Sequence, residues 1–334
     1  MFPEPHSVVL SVVVPCYNEE PNLDSLFERL VTVLEPLDLT YEIVCVNDGS
    51  RDQTLKGLVE HHHRNPNIKV VNFSRNFGKE IALTAGIEYA TGQAIVPIDA
   101  DLQDPPELIG ELIKKWREGY DVVYCKRRSR QGESWLKKLT ANAFYRVIEK
   151  MTSVAIPRDT GDFRLMDRRV VDALKQLPET HRFMKGLFAW VGFQQTFIEY
   201  DRPPRFQGTT KWNYWKLWNL AIEGITSFSS MPLRVWSYLG LFISLLAFVY
   251  GSFLIIRTLI LGIDVPGYAS LMVAILFLGG IQLLTLGIIG EYLSRVHDEV
   301  KRRPLYLVRD CYGFDTVSQQ NLYSEIESKP VKSQ

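Results

Sequence analysis

The stretch "IVPIDADLQDPP" (residues 95–106) sets three carboxylates, Asp99, Asp101 and Asp104, and the amide of Gln103 directly behind an apolar run. Acids this close repel one another, and a turn requires no more than one of them. Clustered carboxylates at a strand end are a common way to hold a hard divalent cation. Mg2+ in particular takes few protein ligands and completes its shell from phosphate oxygens and water. Asp99 and Asp101 stand two apart and would share one side of an extended segment, with Gln103 at the next equivalent position. Asp104, just ahead of Pro105 and Pro106, reads as the N-cap of a following helix. An isolated Asp-x-Asp carries little by itself, so its place in the fold decides.

Apolar β-branched runs at 7–14, 41–46, 68–73, 94–98 and 121–125 read as strands. Several are too continuously apolar to have a wet face, so the sheet is expected to be covered on both sides. Leu23, Leu26, Phe27 and Leu30 form one helical stripe, opened by Pro21 and Asn22, and residues 52–63, 79–90 and 106–118 supply further helices. This alternation predicts a mainly parallel α/β sheet with its sites at the carboxyl ends of the strands. The polar motifs fall there: "PCYNEE" after the first strand, "NDGS" after the second, "SRNFGK" after the third and "DADLQD" after the fourth. "NFGKE" lacks the leading glycine and the spacing of a P-loop. His61, His62 and His63, being consecutive, cannot share a helix face, which favours a solvated helix end over a metal site.

Composition narrows the partners. The 334 residues carry 38 Lys+Arg and 38 Asp+Glu, so the net charge is zero and no nucleic-acid partner is implied. Four scattered cysteines, Cys16, Cys45, Cys125 and Cys311, lack metal or disulfide spacing and suit a reducing compartment. Residues 235–256 and 265–290 contain no charge, and each run exceeds the roughly 20 residues that cross about 30 Å of hydrocarbon. Arg234 precedes the first run, and Arg295, Lys301, Arg302 and Arg303 follow the second. Only Arg257 lies near the "RTLILGID" loop between them. By the positive-inside rule both outer flanks are cytoplasmic. The first residues, "MFPEPHSVVLSVVVP", have no basic region ahead of an apolar stretch, so no signal peptide is expected. Residues 211–228, "KWNYWKLWNLAIEGITSF", place Trp212, Trp215 and Trp218 among lysines and read as an interfacial helix on the bilayer. The tail beyond Asp310 is polar and reads as partly disordered.

Six motifs in order, "VVPCYNEE", "VNDGSRDQT", "SRNFGKE", "IDADLQDPP", "DTGDFRLMDR" and "RFQGTTKWNYWK", resemble the inverting glycosyltransferases of family two, which have the GT-A fold. More narrowly, the chain is similar to the polyisoprenyl-phosphate glycosyltransferases. That group includes dolichol-phosphate mannose synthase and the bacterial bactoprenol glucosyltransferases, and two spans behind the catalytic domain match the bacterial subgroup. The resemblance reaches to about residue 310. It implies a Rossmann-like GT-A domain over 1–210, an amphipathic juxtamembrane segment over 211–232, two transmembrane helices over 233–295 and a cytoplasmic tail over 296–334. The expected place is the plasma (inner) membrane, and a homo-oligomer is expected.

The resemblance also implies roles. Pro15, Tyr17, Glu19 and Asp48 match a nucleoside pocket, where an aromatic or proline face packs a base and carboxylates accept from N–H or ribose hydroxyls. Asp99 would face the ribose or sugar, and Asp101 and Gln103 would hold Mg2+ or Mn2+ on the donor diphosphate. Arg205 and Lys211, with Arg128 of "CKRRSRQGE", match basic positions that stabilise charge on the phosphates; a basic juxtamembrane patch attracted to anionic lipid is the alternative, and both can hold because the acceptor is itself anionic. Asp162 occupies the place of a general base and Arg164 the acceptor side, with Asp159 a competing carboxylate. An acceptor phosphate monoester has a second pKa of about 6 and is largely ionised at neutral pH, so Asp162 could instead orient Arg164 or the sugar.

Glucose from UDP-glucose, transferred to undecaprenyl phosphate, is the expected reaction; mannose or a modified arabinose would need few changes. A processive polysaccharide synthase would need more helices and a Gln/Arg-x-x-Arg-Trp box, neither of which is visible. A scaffold without activity would have lost Asp99, Asp101 or the Arg205–Lys211 segment, and all are present. A flippase would need ionisable residues within its spans.

Overall fold

A computed structural model describes residues 8–128, 160–177, 179–180, 182–201, 231–261 and 267–314. Asp159, Arg205, Lys211 and the aromatic segment 211–228 lie outside the described residues. The β-branched runs form strands β1 (Leu10–Cys16), β2 (Tyr41–Asn47), β3 (Ile68–Phe73), β4 (Ala94–Pro97), β5 (Val122–Arg127), β6 (Thr160–Asp167), β7 (Gln195–Tyr200) and β8 (Val308–Tyr312). They make one sheet in the order β7-β5-β6-β4-β1-β2-β3-β8. β1 pairs in parallel with β2 and β4, β2 with β3, and β5 with β7. β6 and β8 run against their neighbours.

The helices are α1 (Leu23–Leu34), α2 (Thr54–Arg64), α3 (Lys79–Tyr89), α4 (Ile109–Arg117), α5 (Arg168–Lys175), α6 (Met184–Trp190), α7 (Met231–Leu261) and α8 (Tyr268–Lys301). Both faces of the sheet are covered, as the continuous apolar runs require. Leu10, Val12 and Val14 pack with Leu26 and Leu30 of α1, Leu58 of α2 and Leu112 of α4 in one buried cluster. On the other face Val13 meets α3 at Gly86, where any larger side chain would strike the Val13 methyl. Burying these side chains stabilises by roughly 1.5–3 kcal/mol each. His61 and His62 make local contacts, with Asp24 Oδ1 at 2.8 Å and the Ile68 carbonyl at 2.6 Å, in keeping with a helix end.

The described residues fall into two compact units, the sheet with its helices and the pair α7 and α8. Both long helices are long and apolar enough to cross a membrane, over Val235–Phe253 and Val273–Lys301. Large side chains such as Phe242, Leu245, Phe248 and Leu283 are exposed along them, which suits a lipid surround and hence membrane association. The structure corrects one expectation here. The "RTLILGID" stretch is helical through Leu261, where Leu and Ile continue the apolar run of α7. Through "EYLSRVHDEVK" α8 runs on past Arg295 to Lys301. Beyond α8, β8 returns to the sheet and pairs antiparallel with β3, with Asn72 opposite Asp310.

Candidate active site

The strand order reverses between β1 and β4, the switch point where α/β sheets bind ligands. The loop after β1 and the loop after β2 are laced together there. Asn18, with φ 55, donates from its backbone to Ser50 Oγ at 3.0 Å, and its side chain accepts from Arg51 N–H at 2.8 Å. Glu19 N–H donates to Thr54 Oγ1 at 2.9 Å, and the Glu19 carboxylate accepts from Asn22 Nδ2 at 2.7 Å. Pro15 is half-buried at the end of β1, and Tyr17 beyond it is exposed.

Asp48 is almost wholly buried. Its Oδ1 accepts from Phe77 N–H at 2.6 Å, and its Oδ2 from Gly78 N–H and Asn76 Nδ2, both at 2.9 Å. Burial pushes its carboxyl up, partly offset by these N–H groups. A carboxylate offers about four acceptor directions, so three serve the 74–79 loop. Gly49 follows with φ 63, and a Cβ there would collide with the Arg75–Asn76 backbone. Only glycine combines that left-handed φ with so close an approach. Asp48 and Gly49 thus shape the loop that presents α3.

Lys79, the first residue of α3, was not singled out by its type or spacing, yet it joins the two acidic motifs. Its ammonium lies 2.6 Å from Asp99 Oδ1 and 2.9 Å from Asp162 Oδ2. β6 runs against β4 with Ala94 opposite Asp167 and Ile95 opposite Met166. This antiparallel pairing brings the segment after β4 near the start of β6, so Asp99 and Asp162, 63 positions apart, share Lys79. Burial alone would raise the Asp162 carboxyl, but the charges of Lys79, Lys185 and Arg164 hold it well below the usual carboxylate range. Lys79 is likewise raised far above its ordinary value by Asp99 and Asp162, against the opposing effect of burial. The Oδ1 of Asp162 is buried without a hydrogen-bond partner.

Glu80 supplies the opposite case. Burial, then the charge of Asp162, pushes its carboxyl up to about 7. A neutral carboxyl there favours the fold at low pH, and that contribution is lost as the pH rises through about 7. Glu80→Gln removes the titration. The variant is expected to gain about 1–3 kcal/mol on the wild type at pH 8 and almost nothing at pH 4.5, read by thermal melting across pH.

The structure corrects two readings of the acid stretch. β4 ends at Pro97, and Leu102 adopts φ 58, so 99–103 is a turn rather than an extended segment with three side chains on one side. Within it Gln103 N–H donates to Asp101 Oδ1 at 3.2 Å, which fixes the Asp101 carboxylate. Asp104 is not a helix cap, because Pro105 takes that position without a side-chain bond. Asp104 is buried instead, and accepts from Tyr200 Oη at 3.3 Å.

Arg164 is 5% exposed, stacked 4.0 Å over the Phe188 ring and bonded to Gly161 O at 2.9 Å. Burial pushes its guanidinium down to about 10, so it stays charged at neutral pH. Arg128 turns toward β7, 3.4 Å from Asp201 Oδ2 and 4.0 Å from Glu199 Oε2. The structure therefore gathers Asp48, Asp99 and Asp162 around the 74–79 loop, with Asp101 and Gln103 on the neighbouring turn, and holds Arg164 in the interior behind them.

A switch-point acid rim bridged by lysine, in a chain whose later part forms an apolar helical pair, defines a class that sequence comparison reports directly. Residues 11–175 match glycosyl transferase family 2, and residues 231–296 match the GtrB C-terminal hairpin. The chain is 67% identical to an uncharacterized glycosyltransferase, sll0501, of Synechocystis, over 95% of this chain and 99% of that one. It is 50% identical to the uncharacterized glycosyltransferase YkcC of Bacillus subtilis, over 91% of this chain and 94% of that one. It is 48% identical to a prophage-derived bactoprenol glucosyl transferase of Shigella flexneri, over 91% of this chain and 98% of that one. The chain belongs to glycosyltransferase family 2 and is a GT-A enzyme carrying the GtrB-type hairpin.

Proposed function

We propose that the protein transfers glucose from UDP-glucose to a polyprenyl phosphate, with inversion, at the cytoplasmic face of the plasma membrane. The observation that carries this reading is the Lys79 bridge between Asp99 and Asp162 beside Asp101. It holds donor-side and acceptor-side carboxylates together at the rim of the sheet. The similarity to a bactoprenol glucosyl transferase supports glucose and the lipid acceptor. Residues on either side of α7 and α8 belong to one sheet, so both flanks lie on one side of any bilayer the pair crosses. Arg295, Lys301, Arg302 and Arg303 favour the cytoplasmic side. Close approach of small residues in "FLGGIQLL" suits helix association in a homo-oligomer.

Within this reading Tyr17 and Pro15 face the base, Glu19 and the remaining acceptor direction of Asp48 receive N–H or hydroxyl donors, and Asp99 orients the ribose or sugar. The donor set of Asp101 and Gln103, hard oxygens beside a turn that already orients Asp101, fits Mg2+ or Mn2+. When bound, such a cation stabilises the charge on the departing diphosphate. Arg205 and Lys211 supply positive charge to the same phosphates, whereas Arg128, expected to join them, is paired with Asp201 and Glu199. The lipid phosphate, ionised without help at neutral pH, attacks the anomeric carbon in line. Asp162, held ionised by Lys79, serves to fix that ammonium and the acceptor's approach rather than to take a proton.

Membranes containing the protein, given undecaprenyl phosphate and a panel of labelled nucleotide sugars, are expected to form labelled lipid with UDP-glucose and to lose at least about 10²-fold in rate with EDTA. Equal product with EDTA removes the metal, and label only from another donor reassigns the sugar.

A further inference from the structure

Arg302, with φ 47, ends α8, and the chain turns back to the sheet. Four residues later Tyr306 stacks on Phe73, ring centroids 4.9 Å apart and 20° from parallel. Its hydroxyl donates to Glu88 Oε2 on α3 at 2.5 Å. Ser74 N–H donates to Leu307 O at 2.9 Å. The pairing of β8 with β3 shifts register between Asn72 and Phe73, a bulge that lets the returning strand follow β3 beyond its end.

Two lines of contact run from this strand to one carboxylate. The aromatic line passes from Tyr306 to Phe73, then edge-on to Phe77 at 5.6 Å, whose ring is covered by the Arg75 guanidinium at 4.0 Å. Phe77 N–H in turn donates to Asp48. The polar line passes from Asp310 Oδ2, which accepts from Asn72 Nδ2 at 2.9 Å, to Asn72 Oδ1, which accepts from Asn47 Nδ2 at 2.8 Å. Asn47 is the residue before Asp48. A strand that only covered the sheet edge would stop at the ladder, but here the preceding Tyr306 and Leu307 also meet Phe73 and Ser74, at the entry to the loop that ends in Lys79.

We propose that the strand following the second apolar helix is a positioning element of the active site. Tyr306, Leu307 and Asp310 set the 74–79 loop so that its N–H groups clasp Asp48 and Lys79 reaches Asp99 and Asp162. The inference rests on the donor-site reading of that rim. It makes the segment leaving the membrane helix part of what aligns the donor.

The test uses the full chain in detergent or nanodiscs, comparing wild type, Tyr306→Ala, Tyr306→Phe and Asp310→Asn. Amide hydrogen exchange in the nucleotide-free protein reads Phe77 and Gly78 directly, with Val12, Val13 and Val14 as the core reference. Tyr306→Ala is expected to speed exchange at Phe77 and Gly78 by about tenfold or more while the β1 amides stay protected. The KM for the nucleotide sugar should rise by about tenfold, with a smaller change in kcat. Tyr306→Phe, which keeps the stack and loses the Glu88 bond, and Asp310→Asn should show the same pattern at smaller amplitude. Unchanged exchange at Phe77 and Gly78 together with unchanged donor KM overturns the proposal. Should Tyr306→Ala unfold the sheet, Tyr306→Leu is read by the same two criteria. The exchange arm needs no nucleotide, so failure of the donor-site reading appears separately, as full activity in Asp101→Ala.

Discussion

Replacing Asp101 with alanine is expected to cut formation of lipid-linked sugar by about 10³-fold or more, while the protein still inserts and folds. The size follows from the charge involved. A diphosphate leaving group develops negative charge as the sugar bond breaks, and cation stabilisation of it is worth several kcal/mol. About 4 kcal/mol corresponds to a thousandfold in rate. The structural cost is small because Asp101 is half-buried on a surface turn, and its replacement removes the bond from Gln103 N–H, worth about 1 kcal/mol. Labelled-lipid formation, melting temperature and nucleotide binding in the presence of Mn2+ separate these effects. Wild-type turnover in the variant would take Asp101 out of the site.

Lys79→Met has the second largest expected effect. It leaves Asp99 and Asp162 facing each other without the ammonium between them. Removing one partner of a fully buried pair costs about 3–5 kcal/mol. Lys79 keeps 46% of its side-chain surface open, so about 1–3 kcal/mol of stability is expected after solvent screening. The rate should fall by about 10²–10³-fold, the range for losing one preorganised charge at a reacting centre. The pH profile is the sharper readout. In the wild type the Lys79 charge keeps Asp162 ionised, a contribution present above the ordinary carboxylate range and lost only as the pH falls well below it. Without Lys79 two like charges meet, and one carboxyl is pushed upward. The acidic limb of the rate profile should move to higher pH. Lys79→Arg should recover part of the rate, since a guanidinium can also span two carboxylates. An acidic limb unmoved in Lys79→Met would show that Asp162 is ionised for other reasons.

Sequence reasoning reached the alternation of strands and helices, the covered sheet and the motifs at its carboxyl edge, because those follow from hydrophobic period and turn chemistry. It missed what depends on register. Lys79 lies in the "SRNFGK" motif, but nothing local says that an antiparallel β6 will bring Asp162 within reach of the same ammonium as Asp99. The even spacing of Asp99, Asp101 and Gln103 misled for a related reason. Spacing of two implies a common side only while the backbone stays extended, and Leu102 in a left-handed conformation ends that. Asp104 looked like a cap from its prolines, whereas the tertiary partner Tyr200 lies 96 residues away and leaves no local trace. β8 was hidden by composition, because "VRDCY" is a short, half-charged edge strand that is held by β3 and not by its own apolar content.

The bond between Asn72 and Asp310 closes a loop of 238 residues that contains both apolar helices. Synthesis proceeds from the N-terminus, so a nascent chain has made β3, and the two hydrophobic segments after it, before β8 exists. Until residue 312 has left the ribosome, the outer edge of β3 lacks the partner it has in the finished sheet, and an unpaired edge is the part of a sheet most open to adventitious pairing. Completion of the catalytic half is thereby timed to follow production of its anchor, so a polypeptide truncated anywhere in the hairpin carries an unfinished sheet.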